Sequence, residues 1–397
     1  MFKTTLLSRS SRLLVAVIVL ALTSFLWTSC NQKPESNTVE PNSGQPVLNK
    51  DNPDIQKVMK IQDKHTKALM KIQDVIGTAT GLTEDGRPAI LVLTKTDIKA
   101  SALAQGKASP IPDILENIPV EILVTGEIVH FKDTPSLEKT TAVSHTAKQT
   151  PPIKLGTSGG WRYDLANGYC CSGTLGALIT DGTYQYILSN WHVLYSDIVS
   201  GGNNRVAQAG DPVNQPGMVD ISCNAANSQD VATLLDPSIG GSLYNYTAAN
   251  VDAGIAKVIP GMVDPSGSIL EIGTISSKTV AASLRQAVKK SGRTTGLTTS
   301  SVSGLNATIS VSYENECAGA TAFTKTYTGQ IVLKNRKSSF LGAGDSGSLM
   351  VENVSTNPRA IGLLYAGSST TAIANPINDV LNFYSSKLGK TVSMVGK

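Results

Sequence analysis

The chain has little charge and few aromatic side chains: Asp, Glu, Lys and Arg make up 16% of 397 residues, and Phe, Trp and Tyr 5%. The formal net charge is +4, and removing the leader cations Lys3, Arg9 and Arg12 leaves +1. No basic face follows from that balance, and no basic–aromatic interleaving accompanies it, so nucleic acid is excluded as a partner. Histidine is rarer still. Only His65, His130, His145 and His192 are available as imidazole bases. Glycine, with 35 residues, is plentiful, which implies many turns and short strands. The length accommodates two domains plus tails.

Long apolar runs are confined to the start. Lys3, Arg9 and Arg12 precede Leu13–Leu22, and the small residues Thr28 and Ser29 lead into Cys30. This arrangement resembles a bacterial lipoprotein signal, residues 1–29, with Cys30 as the lipidated first residue of a cell-envelope protein. Trp27 stands where such signals usually carry leucine. A soluble secreted protein and an uncleaved anchor are the other readings, and the apolar run is short for a full span. Four cysteines then remain: Cys170, Cys171, Cys223 and Cys317. They allow two disulfides in three connectivities, with the adjacent pair 170–171 disfavoured by strain. Their spacing lacks the paired short intervals of a zinc site, so no metal is expected.

Residues 30–51 are polar and rich in Pro, Asn and Ser, as in a disordered tether. Helical spacing of Ile55, Val58, Met59, Ile61, Leu69, Ile72, Val75 and Ile76 follows the cap signal Asn52-Pro53. A turn at Glu84-Asp85-Gly86, a strand Pro88–Thr94, a helix near Thr96–Gln105 and a strand Val120–Phe131 complete a small α+β domain, 52–132. His65 reads as a solvated surface residue, and His130 as a structural residue at a strand end. Residues 133–158, with Pro135, Pro151 and Pro152, read as a linker that contains His145. From 159 to 390, short β-type runs broken by Gly, Asn and Asp suit a barrel or sandwich. A helix from Asn375-Pro376 to Gly389 closes the unit.

The stretch Gly342-Ala343-Gly344-Asp345-Ser346-Gly347-Ser348 places a serine among glycines before the apolar Leu349–Val351. Glycines permit the tight turn and close substrate approach that a nucleophile needs. The N–H groups of Gly344 and Ser346 could converge as an oxyanion hole. His192 ends a strand joined to Gly173–Thr180 through the Asp181-Gly182 turn, which places it as a base. Asp252 enters the apolar run Val251–Val258, where it requires a partner such as an imidazole N–H. Asp220, Asp230 and Asp236 are rival acids, Asp230 the strongest of them.

Ser189-Asn190-Trp191-His192-Val193, Val251-Asp252-Ala253-Gly254-Ile255-Ala256 and Gly344-Asp345-Ser346-Gly347-Ser348 resemble, in order, the three motifs of trypsin-like serine peptidases. The spacings of sixty and ninety-four residues also suit that family. The resemblance covers the C-terminal three-fifths of the chain. It implies two six-stranded β-barrels with a site between them and a C-terminal helix, a chymotrypsin-like fold that is mainly β. It further implies Ser346 as nucleophile, His192 as general base, Asp252 as its orienting acid, and a protein or peptide substrate cleaved without a cofactor. Ser172–Gly176, Gly210–Pro212, Gln215–Gly217 and Lys290–Gly296 look similar to a bacterial subgroup related to plant narrow-leaf-type proteins. In this family the strand Ala360–Leu364 leading to Tyr365, Ala366 and Gly367 pairs with the substrate main chain. The specificity pocket is expected between 339–342 and 367–374, with Phe340 or Leu341 at its floor beside Ala343. It has no acidic residue, so small or apolar side chains are preferred. The competing class is a catalytically silent or latent binding protein on the same fold.

Overall fold

The computed structural model describes residues 47–130, 143–166, 169–196, 207–243, 249–313 and 323–397. The expected leader, Cys30, most of the expected tether, Phe131, the first part of the expected linker and Cys317 lie outside these residues. Pro46–Lys397 forms one compact unit. Among the described residues no helix is long and apolar enough to cross a membrane.

Helix α1 (Pro53–Leu69) begins as expected, with Asn52 Oδ1 accepting from the N–H groups of Asp54 and Ile55 at 3.0 and 3.3 Å. It buries Ile55, Val58, Gln62 and Leu69 along one face. The helix stops seven residues short of the expected end, because Val75 and Ile76 belong to strand β1 (Val75–Leu82). Here β-branched residues alternate with glycines that let neighbours approach. A Cβ on Gly77 would lie 2.6 Å from Ile309 Cδ1. Strand β2 (Pro88–Thr94), helix α2 (Ile98–Ala104) and the short β3 (Ile114–Leu115) follow. The single strand expected over Val120–Phe131 is instead two: β4 (Ile118–Val124) and β5 (Val129–His130), separated at Gly126 with φ of +72°.

The first barrel contains β6 (Thr157–Trp161), β9 (Gly173–Leu175), β10 (Ala177–Thr180), β11 (Gln185–Ser189), β12 (Pro212–Gln215), β13 (Gln229–Leu234) and β14 (Gly254–Val258). The pairing order β10-β11-β14-β13-β12-β6-β9 returns to its start because β9 and β10 are one bent strand interrupted at Gly176. The sheet is thus a closed six-stranded barrel. The β10–β11 hairpin forms through Asp181-Gly182 as expected, with Asp181 Oδ1 accepting from Thr183 and Tyr184 N–H. A two-stranded pair, β7 (Leu165–Ala166) and β8 (Tyr169–Cys170), lies beside it. Helices α3 (Trp191–Leu194) and α4 (Pro237–Gly240) lie against β14.

The second barrel contains β15 (Ala287–Gly292), β16 (Gly296–Tyr313), β17 (Phe323–Lys334), β18 (Leu349–Glu352), β19 (Ala360–Gly367) and β20 (Thr371–Pro376). It also closes, since β15 pairs both β18 and β16. Helix α5 (Ile377–Leu388) ends at Gly389 with φ of +65°, and β21 (Ser393–Met394) adds to β10 of the first barrel. Tyr384 of α5 donates to Gly240 O at 2.9 Å, so the helix reaches the first barrel as well as lying against β19. The expected double barrel with a C-terminal helix is the architecture of this chain.

Two expected segments are tied into the barrels. The strands expected as a free-standing α+β domain continue the second barrel's sheet, because β1 pairs antiparallel with the extended part of β16. Gln62 of α1 reinforces that seam, donating to Asn306 O at 2.8 Å and accepting from Thr80 Oγ1 at 2.8 Å. The latter part of the expected linker, 143–158, is built into the first barrel. His145 is buried there, its Nδ1 at 2.7 Å from Gly156 O and its Nε2 at 2.8 Å from Glu271 Oε2. A disulfide joins Cys170 to Cys223, and Cys171 is also disulfide-bonded.

Candidate active site

The three motif residues sit at the junction of the barrels. His192 lies on the one-turn helix after β11, Asp252 just before β14, and Ser346 on the loop before β18. Strands β11 and β14 are paired neighbours, with Ser189 opposite Gly254, which sets the histidine beside the aspartate. His192 Nδ1 is 2.6 Å from Asp252 Oδ2, and both side chains are fully buried. The other carboxylate oxygen accepts from Trp191 N–H at 2.8 Å. Asparagines fix the Asp252 backbone: Asn190 and Asn375 amides donate to its carbonyl, and its N–H donates to Asn375 Oδ1 at 3.1 Å. Burial alone would push the Asp252 carboxyl up, but the His192 ring and the Tyr313 hydroxyl hold it below its ordinary value.

The rival acids have other partners. Asp220 pairs with Arg293 at 2.7 Å, Asp230 with Arg162 at 2.7 Å, and Asp236 accepts from Ser238 N–H at the start of α4.

The Ser346 loop is clamped from both barrels. Thr174 N–H of β9 donates to Ser346 O at 2.8 Å, and Thr174 Oγ1 to Gly344 O at 2.9 Å. Gly344 has φ of +89°, a conformation open to glycine. The N–H groups of Gly344 and Ser346 bond to no acceptor among the described residues, leaving both amides of the expected oxyanion hole available. Asp345 turns inward to Lys290, with Nζ and Oδ2 3.0 Å apart and both side chains fully buried. Its carboxylate also accepts from Gly342, Thr294 and Thr295 N–H at 2.9, 2.9 and 3.1 Å. The Lys290–Gly296 phrase was legible in the sequence, but its ion pair was not, because nothing local links residues 290 and 345.

No hydrogen bond joins Ser346 to His192 among the described residues. Ser346 Oγ donates to Tyr365 O at 3.3 Å, while His192 Nε2 is buried without a partner among the described residues. Of the expected pocket residues, Phe340 and Leu341 belong to a hydrophobic cluster of the second barrel with Val302, Leu333 and Leu364. Asn335 Oδ1 holds both of their N–H groups, at 3.0 and 2.9 Å, and turns that segment inward. Ala343 is partly exposed on the loop, and its carbonyl accepts from Thr294 Oγ1. Tyr365, Ala366 and Gly367 end β19, all buried.

The edge of β19 expected to pair with a substrate carries a strand of the chain itself. Strand β5 runs antiparallel to it, His130 opposite Ala366 and Val129 opposite Gly367. The His130 ring packs edge-on to His192 with centroids 5.1 Å apart. His130, read from the sequence as structural, therefore lies in the site. No local motif distinguishes it, since the contact depends on the pairing of β5 with β19.

Neither protein-family models nor curated proteins match the chain. Among solved structures, a glutamic acid-specific serine protease matches at 17% identity over 61% of this chain and 100% of its own, with a TM-score of 0.38. Thermobifida fusca Protease A matches at 17% over 62% and 99%, with a TM-score of 0.37. Cellulomonas bogoriensis chymotrypsin matches at 17% over 62% and 99%, with a TM-score of 0.36. These three solved structures are serine proteases of low identity to this chain.

Proposed function

We propose that this chain is a serine endopeptidase, with Ser346 as nucleophile, His192 as general base and Asp252 as the acid that orients it. The observation that carries the reading is the buried His192–Asp252 hydrogen bond at the edge of the Ser346 loop. A carboxylate on Nδ1 fixes the tautomer that leaves Nε2 free to take a proton. In the reaction, Ser346 Oγ attacks the peptide carbonyl as its proton passes to His192 Nε2. The N–H groups of Gly344 and Ser346 stabilise the oxyanion, each donor being worth roughly 3 kcal/mol in the transition state. His192 then protonates the leaving amine, and water releases the acyl group by the same route. The motif resemblance adds an exported, lipid-anchored form through Cys30 and the narrow-leaf-type subgroup. These rest on the sequence motifs alone.

The pairing of β5 with β19 favours a latent form of the same enzyme. Val129 and His130 fill the edge where a substrate main chain would add, and His130 covers His192. The N-terminal layer acts as an inhibitor in this reading. A fluorophosphonate probe tests both parts on the full chain. Labelling must disappear in Ser346→Ala and must increase in Val129→Pro, which removes a main-chain donor from the β5 edge. A folded chain that labels in neither the wild-type nor the Val129→Pro form is a binding protein, not a peptidase.

A further inference from the structure

The His192–Asp252 pair has a hydrogen-bonded neighbour that belongs to none of the three motifs. Tyr313, the last residue of β16, places its hydroxyl 2.7 Å from Asp252 Oδ2, the oxygen that also faces His192 Nδ1. An ionised carboxylate only accepts, so the Tyr313 proton points at Asp252. The same hydroxyl meets that of Tyr327 on β17. With its proton committed to Asp252, Tyr313 accepts from Tyr327. The order of donation is Tyr327 to Tyr313 to Asp252, and Asp252 in turn accepts from His192. All four side chains are buried.

The ring of Tyr313 is held as firmly as its hydroxyl. It stacks on Phe323 at 4.6 Å and 3°, and on His130 at 5.2 Å and 13°. Resting on the peptidase reading above, we propose that Tyr313 is a positioning residue of the catalytic unit. It fixes the Asp252 carboxylate in the rotamer that serves His192 and shares the charge on Oδ2. The long β16–β17 hairpin contributes it, and β1 of the N-terminal layer pairs with that same hairpin. The acid of the triad is thereby tied to an element far from any motif.

A plain packing role makes a different prediction, because phenylalanine would keep the stack and lose only the hydroxyl. The test uses the full chain as wild type, Tyr313→Phe and Tyr327→Phe. One readout is the rate of fluorophosphonate labelling against pH, and the other is the NMR spectrum of the imidazoles. Four histidines make assignment tractable, with His65 and His145 as internal references. The groups facing the pair are His130, Tyr327, Tyr365, Tyr384 and Lys325, and none is altered in Tyr313→Phe.

Loss of a hydrogen bond to a charged group should slow labelling about tenfold in Tyr313→Phe. The profile should also move to higher pH, because a less dispersed charge on Asp252 holds a protonated imidazole more strongly. The His192 Nδ1 proton resonance should shift while those of His65 and His145 stay. Tyr327→Phe should do the same more weakly, and it carries the test if Tyr313→Phe does not fold. A Tyr313→Phe profile and His192 resonance coincident with wild type would overturn the proposal. If neither the wild type nor Val129→Pro labels but the His192 resonance still responds to Tyr313→Phe, the peptidase reading fails and the coupling of Tyr313 to the pair stands.

Discussion

Replacing Lys290 by methionine tests what holds the Ser346 loop. The lysine and Asp345 are both fully buried, with Nζ and Oδ2 3.0 Å apart. Methionine keeps most of the aliphatic stem and removes the cation. Asp345 would keep its three backbone donors and the Thr295 hydroxyl at 2.6 Å, but no countercharge. Breaking a buried pair on one side costs about 3–5 kcal/mol. Unfolding entropy of about 2.1 cal/mol/K per residue, taken over Pro46–Lys397, converts 4 kcal/mol into a Tm drop of about 5 °C.

The sign with pH follows from the same contacts. Burial pushes the Asp345 carboxyl up, but Lys290, the Thr295 hydroxyl and Gly342 N–H outweigh it and leave it lowered. Its stabilisation is therefore full above the ordinary carboxylate range and lost as pH falls through the lowered native value. Without Lys290, burial prevails, and the acid loss should begin at higher pH. Calorimetry at several pH values measures both effects. The double variant Lys290→Met/Asp345→Asn removes both charges and should recover at least half of the loss. A single variant as stable as wild type, or a double variant no better than the single, would refute the reasoning.

Asp252→Asn should lower labelling or turnover by about four orders of magnitude, while Asp230→Asn, which only frees Arg162, should leave it near wild type; kinetics on both variants decide between the two acids. Replacing Cys170 and Cys223 by serine opens a 53-residue separation and should cost about 4 kcal/mol by loop entropy, measurable by urea unfolding. Gly176→Ala should disrupt the Ser346 loop, because the added Cβ would lie 1.9 Å from Gly347 O. Reduced labelling together with a lowered Tm is the expected result, and an unchanged pair of values counts against the close approach.

Features encoded within a few neighbouring residues were legible in the sequence. The hairpin at Asp181-Gly182, the Asn52 cap, the Gly389 stop and the three motifs each depend on local chemistry. The His192–Asp252 pair was legible for a further reason, since a carboxylate in an apolar run needs a partner and histidines are scarce. Contacts set by strand register were not. Lys290 reads as one polar residue in a phrase, and only closure of the second barrel brings it to Asp345. Tyr313 lies sixty-one residues from Asp252 and reaches it at the far end of an eighteen-residue strand. The joining of β1 to the second barrel's sheet was not legible, because apolar alternation in β1 does not reveal which strand it will pair with. His130 and His145 were undervalued for the same cause: each is given its surroundings by a partner more than ten residues away, Gly156 for one and Ala366 for the other.

The continuous sheet has a consequence for any activation by cleavage. A single cut between residues 131 and 142 would divide the chain without separating its parts. Strand β1 would still be laddered to β16, and Gln62 would still reach Asn306 across the seam. The product would be a two-chain complex whose smaller fragment leaves at a rate set by unzipping a sheet. If it did leave, the freed edge of β16 would offer unpaired main-chain groups at Leu305, Thr308 and Ile309. The departing layer therefore doubles as the cover of a sticky edge, and its release would favour association of the remaining chain with a second copy or another extended strand.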